Sequence, residues 1–171
     1  MLSDCIAYLF RRCLAVSIHR QSVAVLFLLP RYLPQAHRPL NTRNEVSLHK
    51  EWIDKIKIIT PKAAEDGMLP GKVLGLCQII PSKTCCNGTF IVVGPFDNED
   101  ICKNVKSYLY TKFARFLVGM KKMTQDLKDQ TFALVPIQDF NKPWTDEELY
   151  KKYKLDENEI AFIESMIKPM E

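Results

Sequence analysis

Four cations punctuate the stretch YTKFARFLVGMKKMTQD, residues 110–126, at Lys112, Arg115, Lys121 and Lys122. On a helix and its exit, cations so spaced can hold phosphate oxygens. The planar guanidinium of Arg115 can also fork onto a phosphate or a guanine edge, as a lysine ammonium cannot. Arg115 is the only arginine after Arg43 in a chain that otherwise uses lysine there. Gln125, on the segment that follows, and Gln138 carry side-chain amides suited to base edges. The same letters have a plainer reading. Phe113, Phe116 and Leu117 form a core stripe, lysines near a helix C-terminus complement its dipole, and Arg115 can serve a structural ion pair.

Other chemistries find less support. Six cysteines, at 5, 13, 77, 85, 86 and 102, include no Cys-x-x-Cys pair and accompany only three histidines, which argues against tetrahedral zinc. Adjacent Cys85 and Cys86 do not easily share a relaxed disulfide, so thiols in a reducing, cytoplasmic setting are expected. A thiol enzyme built on either of them with His49 lacks a defined partner set. A metal-dependent nuclease needs converging carboxylates and a lysine, and the DKIKI and DLKDQ segments supply the residue types without the convergence. No catalytic residues or metal ligands are therefore assigned.

The charge distribution divides the chain. Residues 1–48 hold six cations, all arginine, against Asp4 and Glu45, whereas residues 49–171 hold eighteen cations and eighteen anions. The net charge of +4 is thus entirely N-terminal. Such a switch in basic-residue usage points to two sequences of different history, as when a gene truncated at its 5′ end is read from an upstream start into a coding remnant. We therefore expect an atypical Arg-rich segment over 1–48 and one folded domain over 49–171. The run VAVLFLL starts behind two basic clusters and meets PRYLP rather than a small-residue cleavage site, which is not a secretory signal, and no apolar run is long enough to span a bilayer. Asn87-Gly88-Thr89 is read as a turn.

The elements that must position the cations follow from pattern. Short helices are expected over residues 2–29, and Pro30, Pro34 and Pro39 mark a linker. In WIDKIKIIT the isoleucines at 56 and 58 alternate with Lys55 and Lys57, predicting a half-buried strand closed by Pro61. VLGLCQII and TFIVVG predict two more, with Asn87-Gly88 a hairpin-type signal between them. Asp97 reads as the N-cap of one long central helix over about 98–119, and TFALV as a fourth strand ended by Pro136. Thr145 with Glu148, and Asp156 with Glu159, are capping boxes that start two C-terminal helices. The class is α+β, with a small mixed sheet of about four strands.

KIKIITPKA, TFIVVGPF, YLYTKFARFLVGMKKMTQ and FALVPIQDFNKPWTDEELYKKYKLDENEIAFIESMIKPM follow one another as do segments near the C-terminus of bacterial restriction-modification DNA adenine-N6 methyltransferases. Over residues 49–171 the chain resembles that family's target-recognition region. The resemblance is most specific in YTKFARF and WTDEELYKKYKL, and weaker in GLCQIIPSKTCC. It implies binding of double-stranded DNA through Lys112, Arg115, Lys121 and Lys122 on phosphate and Gln125 and Gln138 on bases. Trp144 and Tyr150 are expected to pack. The parent family's cofactor is S-adenosylmethionine, but the glycine-bearing loop and the Asn/Asp-Pro-Pro-Tyr motif that methyl transfer needs are not in this sequence. NKPW, residues 141–144, lacks the paired prolines. The chain is expected to be non-catalytic alone and to bind no cofactor. The alternative expectation is a module that docks on a methyltransferase or restriction subunit through Leu149, Tyr153, Phe162 and Met166.

Overall fold

The computed structural model describes residues 49–64, 66–86 and 88–170. The expected N-terminal helices, the proline linker, Cys5 and Cys13 lie outside the described residues. A 3-10 helix, Lys50–Asp54, leads into three strands, β1 (Ile56–Pro61), β2 (Gln78–Ile80) and β3 (Phe90–Phe96). Helices α1 (Glu99–Tyr110) and α2 (Lys112–Lys121) follow, then a 3-10 turn at Asp129–Phe132 and helices α3 (Asp146–Tyr153) and α4 (Glu157–Met166). The fold is α+β, as expected.

The sheet has three strands in the order β2-β1-β3, and both pairings are antiparallel rather than mixed. Because β2 and β3 flank β1 on opposite sides, the segment containing Gly88 is a crossing and not the tip of a hairpin. Side-chain alternation gives the sheet two interiors. Ile58, Ile79 and Val93 share a register row on the face covered by the helices. Ile59 and Val92 point the other way, into a small second core with Cys86, Trp52, Ile80 and Phe90. A bulge falls where Ile58 pairs with Val93 but Ile56 with Phe96, and Gly94 sits inside it at φ 142°, where a side chain would be strained.

Two expected elements take other forms. The long helix is interrupted at Thr111, whose φ of −61° and ψ of 146° are extended. Its hydroxyl donates to the Tyr108 carbonyl at 2.7 Å and accepts from the Ala114 N–H at 3.2 Å, ending α1 and capping α2 with one side chain. Asp146 completes the start of α2 by accepting the N–H groups of Lys112 and Phe113 at 3.0 and 2.9 Å. The fourth strand is absent among the described residues. TFALV enters a 3-10 turn in which Thr131 N–H and hydroxyl both bond the Lys128 carbonyl, so the segment satisfies itself locally instead of joining a ladder. Asn98, not Asp97, caps α1, and Asp97 pairs with Lys55.

Both capping boxes form as expected. The helices they start enclose α2, with Phe113 stacked on Tyr153 at 4.9 Å and Phe116 edge-on to Phe162 at 5.8 Å. Residues 113–119 of α2 are all buried. The chain closes where the Gly71 N–H bonds the Met166 carbonyl and the Lys168 N–H bonds the Gly71 carbonyl. Among the described residues no helix is long and apolar enough to cross a membrane.

Candidate nucleic-acid interface

The six residues expected to touch DNA separate into an inner and an outer set. Arg115 is 2% exposed. Breaking the helix at Thr111 leaves the Tyr110 carbonyl without its helical partner, and Arg115 Nε takes it at 3.1 Å. Its Nη1 donates to the carbonyls of Lys72 at 3.2 Å and Lys168 at 2.6 Å. Burial lowers the guanidinium pKa, against the opposing pull of Asp146, Tyr150 and Glu164. This arginine joins three segments of backbone and cannot reach a phosphate from where it stands.

Lys122 is likewise inside, 3% exposed, with its Nζ 3.1 Å from the Val73 carbonyl and its pKa lowered by desolvation. Seven residues apart, Arg115 and Lys122 project toward one loop and grip the carbonyls of consecutive residues, 72 and 73. Val73 is left-handed at φ 66°, an unfavourable state for a β-branched residue that the two cations help to hold. Gln138 is buried too. It donates to the Tyr153 hydroxyl at 2.9 Å and accepts from Lys152 Nζ at 2.6 Å, so its amide is occupied within the protein. Lys112 is half-buried and pairs with Glu164 of α4.

Lys121 and Gln125 remain on the outside. They bracket a segment whose Met123 is 85% exposed and whose Thr124 is also in solvent. That segment is not a free arm. Leu127, buried at its end, donates its N–H to the Lys62 carbonyl at 2.7 Å, and the Lys62 N–H reaches the Thr89 carbonyl at 2.8 Å. Lys62 and the exposed Lys128 are thereby brought together at the end of the segment that begins at Lys121 and carries Gln125. Sequence reading passed over both lysines. Lys62 follows Pro61 at the end of β1 and Lys128 sits in a run of mixed charge, and only the non-local backbone bond joins them. Asp66, Asp126 and Asp129 lie nearby in sequence and temper the local field.

As expected, Trp144 and Tyr150 pack: the indole N–H donates to the Asp139 carbonyl at 2.8 Å, and the Tyr150 hydroxyl to Glu164 at 2.9 Å. Of the expected docking residues, Leu149 is fully buried and Tyr153, Phe162 and Met166 pack against the same core. The apolar faces of α3 and α4 are therefore used within the chain. No family model matches this sequence, and neither a curated protein nor a solved structure matches it.

Proposed function

We propose that residues 49–171 are a DNA-binding, target-recognition-like unit of a restriction-modification adenine methyltransferase or its fused endonuclease, without catalytic activity of its own. The observation that carries the reading is the exposed segment bearing Lys121, Gln125 and Lys128, tied to Lys62 by the Leu127 backbone bond, in the region that resembles that family. In this reading the three lysines supply phosphate contacts, and Gln125 and Thr124 offer polar groups to base edges. Arg115 and Lys122 hold the loop at Lys72 and Val73 from within, and Gln138 holds Tyr153 and Lys152.

Equal numbers of cations and anions over 49–171 make the free unit a weak binder. Its affinity for duplex DNA falls with salt, with a log–log slope of about −0.9 for each phosphate neutralised. Alanine at Lys62, Lys121 and Lys128 in turn reduces that slope by about one unit each. Duplex binding that ignores salt, or is unchanged in the triple variant, would overturn the assignment. A second reading, docking on a methyltransferase or restriction subunit, is favoured by Leu76 and Ile137, apolar side chains 59% and 52% exposed. Association with such a subunit that persists at high salt and fails on Leu76→Ser or Ile137→Ser supports it.

A further inference from the structure

Three glycines let the 66–73 loop seat itself against the end of α2. A Cβ added at Gly119, in the helix, would lie 2.6 Å from the Leu69 side chain of the loop. One added at Gly71 would meet the Asp66 and Met68 carbonyl oxygens at 2.4 Å, so the loop is folded tightly on itself. One added at Gly67 would lie 2.8 Å from the Ala64 carbonyl oxygen, 2.9 Å from Lys122 Nζ and 3.5 Å from Gln125 Oε1. Gly67 is buried and its φ lies outside the left-handed range, so glycine is needed there for space rather than conformation. The Lys122 ammonium and the Gln125 amide oxygen therefore lie against one small patch of loop backbone.

That patch is fixed from several directions. The Val73 N–H closes the loop on the Asp66 carbonyl at 3.0 Å, and Arg115 and Lys122 hold the carbonyls of Lys72 and Val73. The C-terminal residues hold it too: the Gly71 N–H and carbonyl bond Met166 and Lys168, and Lys168 Nζ pairs with Asp66 at 2.9 Å. Gln125 itself is exposed, on a segment anchored before it by Lys122 and after it by Leu127. A free, exposed glutamine must lose rotamer entropy to read a base, and a surface that already limits its rotamers reduces that cost.

We infer that Gly67 is a positioning residue for DNA recognition: by leaving room for the Gln125 amide beside a locked loop, it sets the direction in which that amide meets a base edge. The inference rests on the DNA-binding reading above and adds to it the residue on which base preference depends. A planar amide reads a base with its oxygen and its NH2 group together, so displacing one end misdirects both. Lys122 shares the patch but is buried, so overall affinity and its salt dependence belong to other residues.

The test uses the isotope-labelled full chain and two readouts. In the wild type a nuclear Overhauser contact is expected between the Gly67 Hα protons and the Gln125 side-chain amide. Duplexes are then selected from a randomised pool by the wild type, Gly67→Ala and Gln125→Ala. Gly67→Ala is expected to shift the Gln125 side-chain resonances and to lose about tenfold in discrimination at the base pair where Gln125→Ala loses it. Its log–log salt slope should match the wild type, because no phosphate-contacting lysine is removed. If Gly67→Ala does not fold, the wild-type contact decides alone. Absence of that contact, or a folded Gly67→Ala protein that keeps the wild-type base preference, would overturn the positioning role. A wild type that shows the contact but selects no duplex instead defeats the DNA-binding reading, and the recognition role with it.

Discussion

Two runs of cations only a few residues apart meet opposite fates. Within and just after α2, Arg115 and Lys122 point inward and give their hydrogen bonds to carbonyls of the 66–73 loop and the C-terminal segment. At the two ends of the segment that follows, Lys121 and Lys128 are exposed, and Leu127 is bonded to the Lys62 carbonyl. Residue type does not separate the sets. What separates them is local burial. Residues 113–119 of α2 are all buried, so Arg115 in their midst must be satisfied by backbone, whereas Lys121 in the last turn of the same helix is exposed. The 122–128 segment has one anchor, Leu127, and exposes the rest except Lys122.

Substitutions can break or sharpen that contrast. The largest effect is expected at Arg115. Arg115→Met strands three buried carbonyls and should cost about 3 to 5 kcal/mol, read as a lower urea midpoint, while Arg115→Lys recovers only part because an ammonium cannot fork among them. Next comes an alkaline test of the same interior. The Cys77 N–H donates to the Tyr110 hydroxyl at 2.8 Å, on the residue whose carbonyl Arg115 holds, and burial raises the Cys77 thiol to about 11. Since the folded pKa exceeds the unfolded one, that stability is full below about pH 9 and lost as pH rises toward 11. The stability advantage of the wild type over Cys77→Ala should therefore shrink across that window by ~2 to 3 kcal/mol, measured by denaturation at several pH values.

Smaller again is Lys122→Met, which keeps the aliphatic stem but leaves the Val73 carbonyl unpaired and should cost about 1 to 2 kcal/mol. Its effect on duplex affinity should arise only through stability, and should vanish at temperatures where both proteins are fully folded. At the bottom of the scale, Lys121→Ala with Lys128→Ala should change stability by no more than about 0.5 kcal/mol. A larger loss of stability from this outer pair than from Lys122→Met would erase the division between inner and outer cations.

Much of the fold could be read in advance. The two capping boxes are local devices with fixed spacing, and they start α3 and α4 where the letters place them. β1 and β3 show as β-branched runs, although β2 keeps only the last three residues of VLGLCQII. The misreadings share a cause. Thr111 breaks a helix without glycine or proline, because Asp146, distant in sequence, supplies the acceptors that make a new helix start favourable. Lys57 looked like the wet side of an alternating strand, but a second layer covers that side.

The candidate site was legible in part. Lys121 and Gln125 stand on the surface as expected, yet Arg115 invited a functional reading by its rarity, and rarity carries no direction. The signal that could have corrected it was present: Arg115 lies within FARFLVG, an otherwise apolar run that offers no solvated side for a guanidinium. Lys62 and Lys128 are brought together by a backbone bond between residues 62 and 127, and no local pattern announces such a pairing.

The strap between Gly71 and residues 166–168 has a consequence for how the molecule is made. Nearly a hundred residues must leave the ribosome after Gly71 before its two backbone partners exist, and the carbonyl of Lys168 is among the three that Arg115 requires. The central helix cannot complete its guanidinium contacts until Lys168 is made. A chain cut just after Met166 would keep every described helix and lose that latch.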